Sequence, residues 1–168
     1  GGSGLGMVLS LGKTPLANAL LTAEQLEQPE GRYPLDLAFC QSCSLVQILE
    51  TVSPETLFRN YLYFSSFSDT VLHHAEQIAS RMIQARNLGK GSLVVEVASN
   101  DGYLLQYYGQ RGIPVLGIEP AENIARQAES ERGIRTLSEF FGRERAQELR
   151  QRGERADVLH ANNVLAHV

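Results

Sequence analysis

The chain has 168 residues, 43% hydrophobic and 20% charged, with 15 Lys and Arg against 19 Asp and Glu for a formal net charge of -4. That length accommodates one globular domain, or a small module joined to most of a larger one, with enough apolar residues to bury a core. No apolar run approaches the roughly 18 residues that span a bilayer, the start lacks the basic-then-apolar order of a secretory leader, and the basic residues are scattered; neither membrane insertion nor nucleic-acid binding is expected, and a cytoplasmic location is.

The opening GGSGLG reads as a flexible stub. The only two cysteines, Cys40 and Cys43, have the Cys-x-x-Cys spacing of a metal half-site or a redox pair, although no thioredoxin-like strand and helix surround them. Two thiolates are half of a tetrahedral structural zinc site. A change of texture falls at NLGKG (87–91), giving a small module over 1–66, a linking helix over 67–90 and a second domain over 91–168. The spacing of Val71, Ala75, Ile78 and Met82, flanked by Leu72, Ala79 and Ile83, predicts a helix over about 68–86, capped by Ser66 or Ser68.

From residue 92 the sequence repeats a strand, a helix and a glycine. The runs LVVEVA (93–98), PVLGIE (114–119), IRTL (134–137) and ADVLHA (156–161) are short and rich in β-branched residues, and the first three lead into helical stretches closed by Gly112, Gly133 or Gly153. This alternation predicts an α/β fold with a Rossmann-like parallel sheet. Only seven residues follow the fourth strand, so the sheet reads as truncated and its open edge as a place of self-association.

Chemistry concentrates after the first of these strands. In VVEVASNDGYLL (94–105), Ala98, Asn100 and Gly102 alternate through a strand-to-helix turn, where small residues let the backbone approach a ligand. Glu119 ends the second strand, where a carboxylate accepts both hydroxyls of a ribose. A dinucleotide turn calls for Gly-x-Gly-x-x-Gly, and its pyrophosphate would lie against Glu96 and Asp101. S-adenosylmethionine carries a sulfonium and an ammonium instead, so carboxylates favour it over a nicotinamide or flavin cofactor.

The segments GKTPLANAL (12–20), YPLDLAFCQSCSLVQ (33–47), YLYFSSFS (61–68), VEVASNDGYLLQ (95–106), VLGIEPAENIA (115–125) and ANNVLAHV (161–168) together resemble the sugar C-methyltransferases, class I S-adenosylmethionine-dependent enzymes with an N-terminal zinc-binding domain. The resemblance spans nearly the whole chain. It implies C-methylation of a nucleotide-linked keto-deoxysugar through an enolate, and a structural zinc held by Cys40 and Cys43 with a second cysteine pair that the family carries ahead of GSGLG. It places Ala98, Asn100 and Gly102 around the methionine moiety with Glu96 beside them, Glu119 on the ribose, Pro120 and Phe140 toward the adenine, Asn163 facing the cofactor, and His167 and Tyr63 toward the sugar as catalytic groups. The family's further His-Glu base lies in a segment with no counterpart here, so the chain reads as a fragment of the enzyme. Another small-molecule acceptor, or a cofactor-holding fragment without turnover, are the alternatives.

Duller readings stand beside these. Tyr61, Tyr63, Phe64 and Phe67 suit a core as well as a site, Phe140 suits a core filler, His160 reads as core, and the adjacent His73 and His74 point about 100° apart on their helix and read as structural.

Overall fold

A computed structural model describes residues 3–165 and divides the chain into two compact units, Gly1–Phe58 and Arg59–Val168. The first is built on a three-stranded antiparallel sheet in the order β1 (Leu5–Thr14), β2 (Tyr33–Cys40), β3 (Val46–Ile48), followed by a short helix α1 (Pro54–Phe58). Within the segment read as a flexible stub, Leu5 and Gly6 already belong to β1 and pair with Cys40 and Phe39. Register shifts between Met7 and Leu9 and between Ser10 and Lys13 bend β1, and Gly12 adopts φ +72° beside the second of them.

The second unit starts with a strap, residues 59–67, that leads into helix α2 (Asp69–Arg86). The predicted apolar periodicity holds: Ala75 and Ala79 are buried, and Ile78, Met82 and Ile83 pack beside them. Of the two candidate caps, Ser68 serves, its Oγ accepting the Val71 N–H, and Asn87 ends the helix in the left-handed conformation at φ 49°.

Four parallel strands follow, each shorter than its apolar run because the flanking residues turn: β4 (Val94–Val97), β5 (Val115–Ile118), β6 (Thr136–Leu137) and β7 (Val158–His160). Helices α3 (Leu105–Gly109), α4 (Glu122–Arg132) and α5 (Arg143–Gln151) connect them. The spatial order β6-β5-β4-β7 confirms the Rossmann-like reading. One core gathers Val94 and Val158 with Ala75, Ala79, Leu105, Tyr108, Ala128 and Ile134; a second joins Val95, Leu116 and Ile118 to Leu149 of α5, so helices cover both faces. Each Val, Leu or Ile side chain buried this fully contributes about 1.5–3 kcal/mol. Among the described residues no helix is long and apolar enough to cross a membrane.

The strand order also fixes where a ligand sits. The chain leaves β4 for β5 and β6 on one side and returns to place β7 on the other, so the direction of winding switches between β4 and β7. Loops at the carboxyl ends of these two strands must diverge there, which opens a crevice.

Candidate functional site

The loop after β4 turns through three left-handed residues, Ala98 (φ 51°), Asn100 (φ 49°) and Gly102 (φ 77°), at the alternate positions marked in the sequence. Ala98 and Asn100 do with side chains what glycines do more cheaply, at a cost of about 1–2 kcal/mol per residue, less for asparagine. Only Gly102 is sterically bound to be glycine. A Cβ there would stand 2.9 Å from Ile134 Cγ1 and 3.3 Å from Ile134 Cβ, so its bareness lets the loop settle on the core.

Glu119, at the end of β5, reaches under this loop. Its Oε2 accepts the Asn100 N–H at 2.9 Å and its Oε1 accepts the Ala121 N–H at 2.9 Å. An ionised carboxylate has about four acceptor positions, of which these two backbone donors use two. Burial pushes its carboxyl above the ordinary range, with the two backbone N–H groups pulling the other way. The amide of Asn100 does not line the crevice; Oδ1 accepts the Ser65 N–H at 2.8 Å and Nδ2 donates to the Tyr63 carbonyl at 3.0 Å, so this residue shapes the loop through its backbone.

Three buried acids lie at the loop, Asp101 within it, Glu96 on β4 and Glu119 at the end of β5. Glu96, on β4, is wholly buried; its Oε1 accepts from Asn162 Nδ2 at 3.2 Å while its buried Oε2 finds no hydrogen bond among the described residues. Burial first, then Glu119 and Asp101 nearby, raise its carboxyl well above the ordinary range, with Asn162 opposing. Asp101 is equally buried, and among the described residues neither of its carboxylate oxygens accepts a hydrogen bond, although Arg132 Nη2 lies 3.5 Å from Oδ2. Ser99 Oγ is a further buried atom without a hydrogen-bond partner among the described residues. Beside them Tyr103 hydrogen-bonds Asn162, and burial followed by the field of Glu96 pushes its phenol up to about 12. Buried acceptors left unmatched cost about 1–3 kcal/mol each, and a ligand that brings donors and positive charge relieves that cost.

A cavity of about 360 Å³ adjoins this cluster, lined on one side by Thr70, Val71 and His74 of α2 and on the other by Tyr103, Asn162 and Asn163. His74, read from the sequence as structural, thus faces the crevice. Only the three-dimensional position of α2 reveals it. Asn163 stands at φ 54° just past β7. Tyr63 is half exposed on the strap, and Phe67 is 81% exposed, which removes it from any core; Phe64 meets Phe67 edge-on. Phe140 is half-buried beyond β6 with the Arg59 guanidinium 5.5 Å from its ring centre, a cation–π contact rather than core filling. Pro120 directs the chain from β5 toward α4. His167 lies outside the described residues. His160 is buried in β7 against the Tyr108 hydroxyl at 2.9 Å, as core.

Cys40 is buried at the end of β2 and Cys43 exposed in the following turn, where the Cys40 carbonyl accepts the Ser44 N–H at 2.8 Å. Among the described residues no three or more Cys, His, Asp or Glu side chains gather to hold a metal. Two thiols are two of the four donors of a structural zinc, so the described residues do not by themselves fit that ion.

A family model described as "putative zinc binding domain" matches residues 1–58. The C-methyltransferase NovU of Streptomyces niveus is 33% identical over 161 residues, which are 96% of this chain and 38% of that protein. The chain thus spans well under half the length of this relative. Among solved structures, magnesium protoporphyrin IX methyltransferase from Synechocystis PCC 6803 with bound SAM aligns with a TM-score of 0.46 at 17% identity, covering 65% of this chain and 53% of that one. A SAM-dependent methyltransferase from Archaeoglobus fulgidus aligns at 0.29 and 18% identity, covering 39% and 29%.

Proposed function

We propose, for a chain that belongs to the class I methyltransferases fronted by that N-terminal domain, that the crevice between β4 and β7 holds S-adenosylmethionine. The full polypeptide then methylates a carbon of a nucleotide-linked keto-deoxysugar. The observation that carries this reading is the set of three buried carboxyl groups, Glu96, Asp101 and Glu119, at a loop built from three left-handed residues. A pyrophosphate brought there would add negative charge to a desolvated acidic cluster, whereas an adenosyl sulfonium with a free ammonium answers it.

Each residue has a part in that reading. Glu119 offers acceptor positions to the ribose hydroxyls, Pro120 and Phe140 flank the adenine side, and Ala98, Asn100 and Gly102 let the backbone close on the methionine portion. Glu96 faces the ammonium through its Oε2, and Asn163 borders the same space. When bound, the cofactor supplies an electrophilic methyl group on a sulfonium. The acceptor carbon becomes nucleophilic when a base removes the proton next to the sugar's ketone and a donor stabilises the resulting enolate oxygen. His167 suits either task, since an imidazole can take a proton or donate a hydrogen bond, and the Tyr63 hydroxyl suits the second, with the family's His-Glu pair as the other candidate for the base. The 33% identity to a C-methyltransferase supports the reaction class, and the sugar rests on the sequence resemblance.

The test is methyl incorporation from S-adenosylmethionine into nucleotide-linked 4-keto sugars by the full-length polypeptide. The reading predicts a product carrying the methyl on a ring carbon adjacent to the ketone. Transfer to a different small metabolite, with none to the sugars, would overturn the acceptor assignment.

A further inference from the structure

The strap is fastened by side chains rather than by a sheet. Asn123 on α4 pairs with both polar groups of one residue: its Oδ1 accepts the Tyr61 N–H at 3.2 Å and its Nδ2 donates to the Tyr61 carbonyl at 2.7 Å. Asn100 does the same two residues on, between the Tyr63 carbonyl and the Ser65 N–H. In an extended chain alternate residues present their N–H and C=O groups along the same edge. Residues 61, 63 and 65 are therefore read along one edge by two amides, each offering one acceptor and one donor as a neighbouring strand would. The Glu122 N–H, donated to the Arg59 carbonyl at 3.3 Å, adds one backbone bond at the near end.

We infer that Asn123 is a positioning residue for the proposed reaction: it anchors the strap so that Tyr63 is held over the cofactor loop, to which Asn100 makes the second attachment. The inference rests on the cofactor reading above for its consequence, and on the four amide hydrogen bonds for the part Asn123 and Asn100 play in seating the strap. Asn100 belongs to the loop that encloses the ligand, so strap and loop are joined at one end. Asn123 lies outside the loop, two residues beyond Ala121, and its amide is engaged by the strap backbone. Loss of the Asn123 amide removes both of its bonds to the Tyr61 backbone and so loosens the strap where it runs on to Tyr63 and Ser65.

Asn123→Ala removes both bonds. Asn123→Asp keeps the volume and the acceptor but turns a second oxygen, in place of the amide nitrogen, toward the Tyr61 carbonyl, and so unseats the strap without leaving a hole. Two ordinary hydrogen bonds together shift an opening equilibrium roughly fivefold to a hundredfold. In the intact protein both variants are expected to raise hydrogen exchange across 59–67 by at least about fivefold. They should weaken S-adenosylmethionine binding in calorimetry and leave exchange in β4 and β5 unchanged. Unchanged exchange over 59–67 in both variants would overturn the inference, as would faster exchange with cofactor affinity equal to wild type. Wild-type protein that fails to bind S-adenosylmethionine would instead refute the functional reading, and the positioning role with it, whatever the exchange rates show.

Discussion

Gly102→Ala tests whether the loop is where the structure puts it. The substitution meets two penalties that add. Alanine at φ +77° is left-handed, which costs about 1–2 kcal/mol. The new methyl would also sit 2.9 Å from Ile134 Cγ1, and Ile134 is only 2% exposed and β-branched, so it cannot swing away. Overpacking of this kind costs about 1–3 kcal/mol, for a total of roughly 2–5 kcal/mol, a large part of the 5–15 kcal/mol that holds a typical domain together. Gly112→Ala is the matched control, since Gly112 has φ +71° and nothing within 4 Å of its would-be Cβ, so it bears the first penalty alone. Urea denaturation followed by circular dichroism measures both. Equal losses for the two variants, or a loss at Gly102 below about 0.5 kcal/mol, would show that the loop does not rest on Ile134.

Two further outcomes follow from the buried titrating groups. Because the Glu96 carboxyl is raised in the folded protein, its contribution to stability is complete below about pH 4.5 and is lost as pH rises through the raised value, each tenfold difference in proton affinity being worth about 1.4 kcal/mol. Glu96→Gln should therefore be more stable than wild type at pH 8 and lose that advantage by pH 4, while binding a cationic cofactor more weakly; urea midpoints that track wild type in parallel across this range would refute the burial argument. Burial lowers the His160 imidazole, so its contribution is intact above pH 6.5 and is lost as pH falls through the lowered value. His160→Phe leaves the Tyr108 hydroxyl unmatched and should cost about 1–3 kcal/mol at pH 8, a deficit that narrows toward pH 5 because wild type weakens and the variant does not; a deficit independent of pH would contradict this.

The second unit was legible because its signals are local. Apolar runs of four to six residues punctuated by Gly112, Gly133 and Gly153 report the strands and the helix ends directly, and the strand-to-helix turn at Ala98, Asn100 and Gly102 was marked as well, although its three left-handed conformations, two of them at residues other than glycine, were not. What stayed hidden depends on distant pairing. Nothing around Asn100 or Asn123 indicates that each amide grips backbone 35 to 62 residues earlier. His74 was set aside because neighbouring histidines diverge on a helix, yet which one meets the crevice depends on how α2 packs. The first strand escaped notice for a different reason. Its residues Met7, Val8, Leu9 and Leu11 are all exposed and its register slips twice, so no alternation survives to announce it.

Titration calorimetry of the protein with S-adenosylmethionine, run beside an identical titration with NAD, bears on the acidic crevice most directly. The account predicts saturable one-to-one binding of the sulfonium compound, reduced at least about tenfold by Glu119→Ala through loss of a doubly hydrogen-bonded ribose partner, and no comparable heat from NAD. Tight binding of NAD with none of S-adenosylmethionine would contradict it.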